Sequence, residues 1–301
     1  MVHVNMIRAM AMFAVGASAS ASGGSFPDMC GIGYSQSPIS LDRCTENNGH
    51  ENKFMYPVER DALTVAFGSG KSKLELIALD GGKVLKISPN TPGEMGTFSV
   101  ESHGSTKSYR LKYCLVYRDS DHTIALADNG IGRYPAEVQC FGDMTGGTQD
   151  HPVHRVGALS VMYMSGQTED SEGTTAETSN EFFAQFAGLE MPTEDAEKTD
   201  IPINFNGVEG SAGLTRYWTY SGSERLPPCA ENVDWYVMYD PAGISAAQLE
   251  MLSTAGISTP PKHMAHHNGR HPDGCPVYHA GAASASLTSL LLVTAFVFGR
   301  P

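Results

Sequence analysis

The chain has 301 residues, a formal charge of −13 and 41% hydrophobic residues. That length suits one large domain of about 250 residues or two smaller ones, with apolar content enough for a sizeable core. The negative charge argues against nucleic acid, or an acidic membrane surface, as an electrostatic partner.

In chain order, the first feature is a leader. Arg8 precedes a small apolar run from Ala9 to Val15, and Ala17-Ser18-Ala19-Ser20-Ala21 offers A-x-A cleavage sites, so residues 1–21 read as a secretory signal peptide. Short strands separated by turn residues follow: Thr64–Phe67, Lys73–Leu79, Lys83–Ser88, Thr97–Glu101, Tyr109–Tyr117, Ala136–Phe141, Ala158–Met164 and Trp235–Tyr239. Asp80-Gly81-Gly82 and Asp128-Asn129-Gly130 punctuate them. In the fifth strand the period-two alternation places Tyr109, Leu111, Tyr113, Leu115 and Tyr117 on one face. The polar stretches Gly166 to Ser179 and Pro192 to Asp200 read as surface loops.

Helix signals are few. Asn180 to Leu189 carries an apolar stripe of Phe182, Phe183 and Phe186. Ser245-Ala246-Ala247-Gln248 is a capping box, with Ile244 placed to staple onto Leu249. At the far end, small residues from Gly281 to Ser286 lead into an apolar run from Leu287 to Phe298. As a helix that run rises roughly 18 Å, short of a hydrocarbon core of about 30 Å. It has the form of a GPI-attachment signal, with a short tail anchor or a buried terminal segment as the alternatives. Six cysteines in a chain routed for secretion suggest disulfides, and the spacing alone leaves all pairings open. Many strands and few helices make the fold class mainly β (α+β).

The most specific string is Tyr217-Trp218-Thr219-Tyr220-Ser221-Gly222-Ser223, followed by Leu226-Pro227-Pro228-Cys229 and Trp235. It resembles the YWTYxGS…TPPC…W signature of α-carbonic anhydrases. Further landmarks occur in that family's order: Gln36-Ser37-Pro38-Ile39, Phe98-Ser99-Val100-Glu101, Tyr109-Arg110-Leu111, Ser120-Asp121-His122-Thr123, Ala136-Glu137, and Asn268…Arg270…Pro272…Pro276-Val277-Tyr278. The family's W-x-Y segment before the first cysteine has no counterpart. The resemblance implies one domain over residues 30–278, built on a large twisted, ten-stranded, mostly antiparallel central sheet with few short helices, leaving 279–301 as an appended tail. It also implies a disulfide between Cys30 and Cys229, while Cys114 and Cys140, on neighbouring strands, either pair or stay buried thiols.

The same resemblance locates a site and empties it. The family holds zinc with two histidines at i and i+2 on one strand and a third on the adjacent strand; strand alternation points all three to one face. Three neutral imidazoles leave a fourth position for a water whose pKa falls to about 7. Here the ligand positions correspond to Leu115, Tyr117 and Gln139. The threonine that accepts the hydroxide's hydrogen bond corresponds to Arg225, its neighbour to Leu226, the glutamate that orients it to Asp121, and the proton-shuttle histidine to Gly96. His122 and Glu137 match residues that hold each other beneath the family's site.

The expectation is therefore a secreted or cell-surface α-carbonic anhydrase-like domain without catalysis and without a metal cofactor, acting as a binding or structural module for an unidentified extracellular partner. It would be held to the membrane by its C-terminal anchor. An active carbonic anhydrase hydrating CO2 through a divergent zinc site is the alternative. His263, His266 and His267, near His271, stand at a spacing that could chelate a metal but read first as a polar surface segment, and His151 with His154 supplies too few ligands for a specific metal site. No G-x-S-x-G, P-loop or C-x-x-C motif suggests another chemistry.

Overall fold

A computed structural model describes residues 37–38, 40–41, 63–79, 81–102, 105–125, 131–146, 155–169, 175–210, 212, 214 and 217–258. The leader, Cys30, Cys44, Cys275, the paired and clustered histidines at 151, 154, 263, 266, 267 and 271, and the C-terminal tail lie outside the described residues.

The strands in chain order are β1 Ser40–Leu41, β2 Leu63–Phe67, β3 Ser69–Leu79, β4 Gly82–Pro89, β5 Gly96–Ser102, β6 Ser105–Arg118, β7 Thr123–Ala125, β8 Ile131–Gly132, β9 Ala136–Gly146, β10 Val156–Ser165, β11 Gln167–Glu169, β12 Thr175–Glu177, β13 Lys198–Asn204, β14 Tyr217–Gly222, β15 Val233–Met238 and β16 Ala242–Ile244. The helices are α1 Glu181–Ala184 and α2 Ala246–Thr254. Eleven strands form one sheet, ordered β13-β3-β4-β6-β9-β10-β15-β14, with β16 also on β10 and β5 joining β2 to β6. Every pair in it is antiparallel except β10 with β15 and β10 with β16. This is the large, mostly antiparallel sheet that the sequence led us to expect, with eleven strands among the described residues in place of ten.

The central strands carry the core. β10 is buried along Val156–Tyr163 and β15 along its whole length, as strands covered on both faces must be. One face packs under the helical elements, where Phe182, Phe183 and Phe186 meet Phe205, Leu249 and Leu252. The opposite face carries Leu115, Tyr117, Phe141, Trp218, Tyr220 and Trp235, with Leu41 of β1 and Ile124 of β7 over them.

Four local expectations are corrected. The residues Tyr109 to Tyr117 do not share a face. The β6–β9 register shifts between Leu111 and Tyr113. Tyr109 and Leu111 consequently lie in the helix-covered core with Cys114 and Val116, while Leu115 and Tyr117 lie in the other. A bulge adds one residue to a strand of period two and so inverts its faces beyond that point. The helix expected over Asn180 to Leu189 stops at Ala184. Asn180 caps it, but Phe186, Ala187 and Leu189 close i→i+3 bonds, and Gly188 has φ +80°.

The stretch from Gly166 to Ser179 is not simply a loop, because β11 and β12 pair within it and satisfy one another's backbone groups. The stretch from Pro192 to Asp200 ends in β13, an edge strand on β3. The capping box at Ser245 forms as expected, with Ser245 Oγ accepting from Gln248 N and the Gln248 side chain accepting from Ser245 N.

Candidate functional site

Two strands build the site. Across β6 and β9, Leu115 lies opposite Gln139 and Tyr117 opposite Glu137, so facing partners project to the same side of the sheet. The structure thereby brings Leu115, Tyr117 and Gln139 together, each with no exposed surface. Next to Gln139, Cys140 is disulfide-bonded to Cys114, which resolves the alternative of buried thiols.

Glu137 is the hub beneath them. Its Oε1 accepts from Ser160 Oγ at 2.6 Å and Gln139 Nε2 at 2.9 Å, and lies 2.6 Å from His122 Nδ1. Its Oε2 accepts from Asp121 N at 2.7 Å and His122 N at 3.0 Å. Burial works to raise the Glu137 carboxyl, but the His122 charge and the converging donors outweigh it and lower its pKa to about 2. The other ring nitrogen, His122 Nε2, lies 2.8 Å from the Tyr220 hydroxyl. The His122 ring stands edge-on to Trp235 at 5.1 Å, and Tyr220 stacks on Trp235 at 5.7 Å.

Arg225 comes from the turn between β14 and β15 and is 3% exposed. Its Nε donates to Asp121 Oδ2 at 2.6 Å, its Nη2 to Asp121 Oδ1 at 3.3 Å, and its Nη1 to the Ser37 carbonyl at 2.7 Å. Gln139 Nε2 reaches the same Asp121 carboxylate at 3.3 Å. The turn is held from the other side as well. Ser37 N donates to Ser223 Oγ and Ser223 N to Ser37 Oγ, both at 3.0 Å, while Trp235 Nε1 donates to Ser223 O. A buried ion pair thus ties three distant chain segments beside the Leu115–Tyr117–Gln139 group.

These donors do not suit zinc. Zinc takes nitrogen, sulfur or carboxylate ligands in a tetrahedral array. Leu115 offers none. Gln139 turns its Nε2 to Asp121 and Glu137. The Tyr117 hydroxyl is buried, and burial first, then the Asp121 charge, pushes its pKa well above the usual phenol value against the opposing pull of the Arg225 guanidinium. The neighbouring His122 and Glu137 spend their polar atoms on each other and on the frame. Among the described residues, no group of three or more His, Cys, Asp or Glu side chains could hold a metal ion.

The remaining sequence-derived positions fall as follows. Leu226 is half-buried against the aromatic core of this face. Gly96 opens β5 at φ +95°, and a Cβ there would stand 2.0 Å from the Ala66 carbonyl oxygen, so the backbone itself excludes any side chain. Cys229 is disulfide-bonded, and the partner expected for it, Cys30, is outside the described residues. Sequence reasoning missed Ser160, which lies in no motif, and the bonding roles of Ser37 and Ser223, which it quoted only as landmarks of the resemblance. It also treated Arg225 and Asp121 as separate departures. The available signal was a cation and a carboxylate at two positions that the family pattern brings together.

The model of the eukaryotic-type carbonic anhydrase family matches residues 23–274. A carbonic anhydrase of Nostoc sp. is 38% identical over 60 residues, which are 20% of this chain and only 23% of that protein's length. Among solved structures, carbonic anhydrase Cah3 of Chlamydomonas reinhardtii in complex with acetazolamide superposes with a TM-score of 0.55 at 17% identity, over 83% of this chain and 95% of that one. The α-carbonic anhydrase of Photobacterium profundum gives 0.52 at 19% identity, over 77% and 85%. Dioscorin complexed with ascorbate gives 0.51 at 18% identity, over 79% and 85%. At these identities the structural likeness speaks for the fold.

Proposed function

The chain belongs to the eukaryotic-type carbonic anhydrase family, and on that premise we propose that it acts as a zinc-free binding or structural module on the outside of the cell. The observation that carries this reading is the replacement of the ligand set. Leu115, Tyr117 and Gln139, which the resemblance puts at the ligand positions, are buried neighbours on β6 and β9, and beside them a guanidinium is fixed by Asp121 at 2.6 Å. The Asp121 carboxylate is thereby committed to Arg225 and is not free to take a metal. Fold alone does not carry the family's chemistry to this chain.

Placement outside the cell is supported by the Cys114–Cys140 disulfide, a bond that persists in oxidising compartments. It is supported too by the leader-like residues 1–21 and by the GPI-signal form of 279–301. In this reading the partner is extracellular, nucleic acid is not a ligand, and the membrane is met through a lipid anchor.

The test uses the full chain expressed in a cell with GPI machinery. The purified protein is expected to carry well under one zinc per chain and to hydrate CO2 at the background rate. Phosphatidylinositol-specific phospholipase is expected to release it from the cell surface. Stoichiometric zinc with chelator-sensitive hydration overturns the non-catalytic reading and establishes a divergent active carbonic anhydrase instead. Resistance to the phospholipase, with the tail peptide recovered intact, overturns the anchor.

A further inference from the structure

We propose that the Cys114–Cys140 disulfide is the cross-strand tie of this site, doing by oxidation what ligation by residues on both strands does in a metal centre. The inference rests on the zinc-free reading above.

Cys114 immediately precedes Leu115, Cys140 immediately follows Gln139, and the two cysteines are register partners across β6 and β9. Their Cα atoms are 4.0 Å apart, the narrow kind of antiparallel pair, whose members exchange no backbone hydrogen bonds with each other. The covalent link therefore falls where the ladder supplies none. It also falls beside the weakest part of the pairing, since the β6–β9 register shifts between Ser108 and Tyr109 and again between Leu111 and Tyr113. A slip of β6 by one residue would turn Leu115 and Tyr117 to the face opposite Gln139 and Glu137. With Leu115 and Gln139 in place of ligands, no metal bond resists that slip. The disulfide does.

Both cysteines have no exposed surface, so the bond is set as the sheet forms and is not toggled in the native state. Its formation takes two electrons and two protons from the thiols. A disulfide-bearing oxidant of the secretory route accepts them and leaves as its dithiol. Phe141, next to Cys140, stacks on Tyr113 at 4.9 Å and meets Trp235 edge-on at 5.3 Å, which gives the register an optical reporter. The chain has two tryptophans, Trp218 and Trp235, so Trp218→Phe leaves Trp235 emission alone.

The experiment compares native-state hydrogen exchange of the full chain with that of Cys114→Ala/Cys140→Ala, each with and without added zinc. Amides of 113–117 and 137–141 are expected to exchange at least tenfold faster in the variant, with those of the edge strands at 201–204 and 218–222 changed by less than about threefold. Zinc should change neither pattern. Exchange that rises evenly across the sheet, or not at all, overturns the tie and leaves the zinc-free reading standing. Zinc that restores protection at 113–117 overturns both.

Should the double variant fail to fold, the Trp218→Phe protein is treated with a dithiol in urea just below its unfolding midpoint, where the sheet opens transiently. The Cys114 and Cys140 thiols should then appear at the same rate as the change in Trp235 emission. Thiols released with the emission unchanged overturn the proposal.

Discussion

Replacing Arg225 with alanine tests the central electrostatic claim about the site. The substitution leaves the Asp121 carboxylate, 4% exposed in its side chain, without the guanidinium that meets it at 2.6 Å. Among the described residues its remaining side-chain donor is Gln139 Nε2, at a long 3.3 Å. The Ser37 carbonyl loses its 2.7 Å partner in the same step. Removing one member of a buried ion pair costs about 3–5 kcal/mol, most of it the penalty of an uncompensated buried charge. For a domain of this size that lowers the melting temperature by roughly 6–20 °C.

Urea denaturation followed by tryptophan emission should show the midpoint falling with an unchanged slope, since the surface exposed on unfolding stays the same. Adding Asp121→Asn to Arg225→Ala removes the stranded charge and should recover at least about 1 kcal/mol, the signature of direct coupling. An Arg225→Ala protein within about 1 kcal/mol of wild type, or one that Asp121→Asn destabilises further, would refute the buried pair as the organiser of the site.

Three further outcomes are expected. The Glu137 carboxyl is lowered in the folded protein from 4.5 to about 2, so its contribution is complete above the unfolded value and is lost as pH falls through the folded one. Urea midpoints between about pH 5 and 2 should therefore fall steeply in wild type and more gently in Glu137→Gln. Gly96→Ala should cost more than about 1–2 kcal/mol in thermal unfolding, because it forces a side chain at φ +95° against the Ala66 carbonyl; Gly96→His meets the same obstacle. Finally, Leu115→His/Tyr117→His/Gln139→His should bind zinc weakly by calorimetry while Arg225 remains, and at least about tenfold more tightly once Arg225→Thr removes the fixed cation. Equal affinities would remove the guanidinium from the account.

What the chain order alone determined was the frame. The alternation in Lys73–Leu79 and Tyr109–Tyr117, the turn at Asp80-Gly81-Gly82 and the capping box at Ser245 depend on neighbours in sequence, and the strands and α2 form where those signals stand. The string from Tyr217 to Cys229 carried the resemblance to the family, and the landmarks Tyr109-Arg110-Leu111 and Ala136-Glu137 led to the expectation that its ligand positions fall on Leu115, Tyr117 and Gln139. Only the tertiary structure decided the rest. The bulge after Leu111 is a property of two strands in register, so period-two reading along β6 alone put Tyr109 and Tyr117 on one face when they lie on two. α1 ends at Ala184 because the chain beyond it closes i→i+3 bonds through Leu189, a change of hydrogen bonding that the apolar stripe of its phenylalanines does not signal. The choice between thiols and a disulfide at Cys114 and Cys140 required their register. The Arg225–Asp121 pair joins residues 104 positions apart, and an ion pair over that separation exists only once the sheet has brought its two segments together and excluded the water between them.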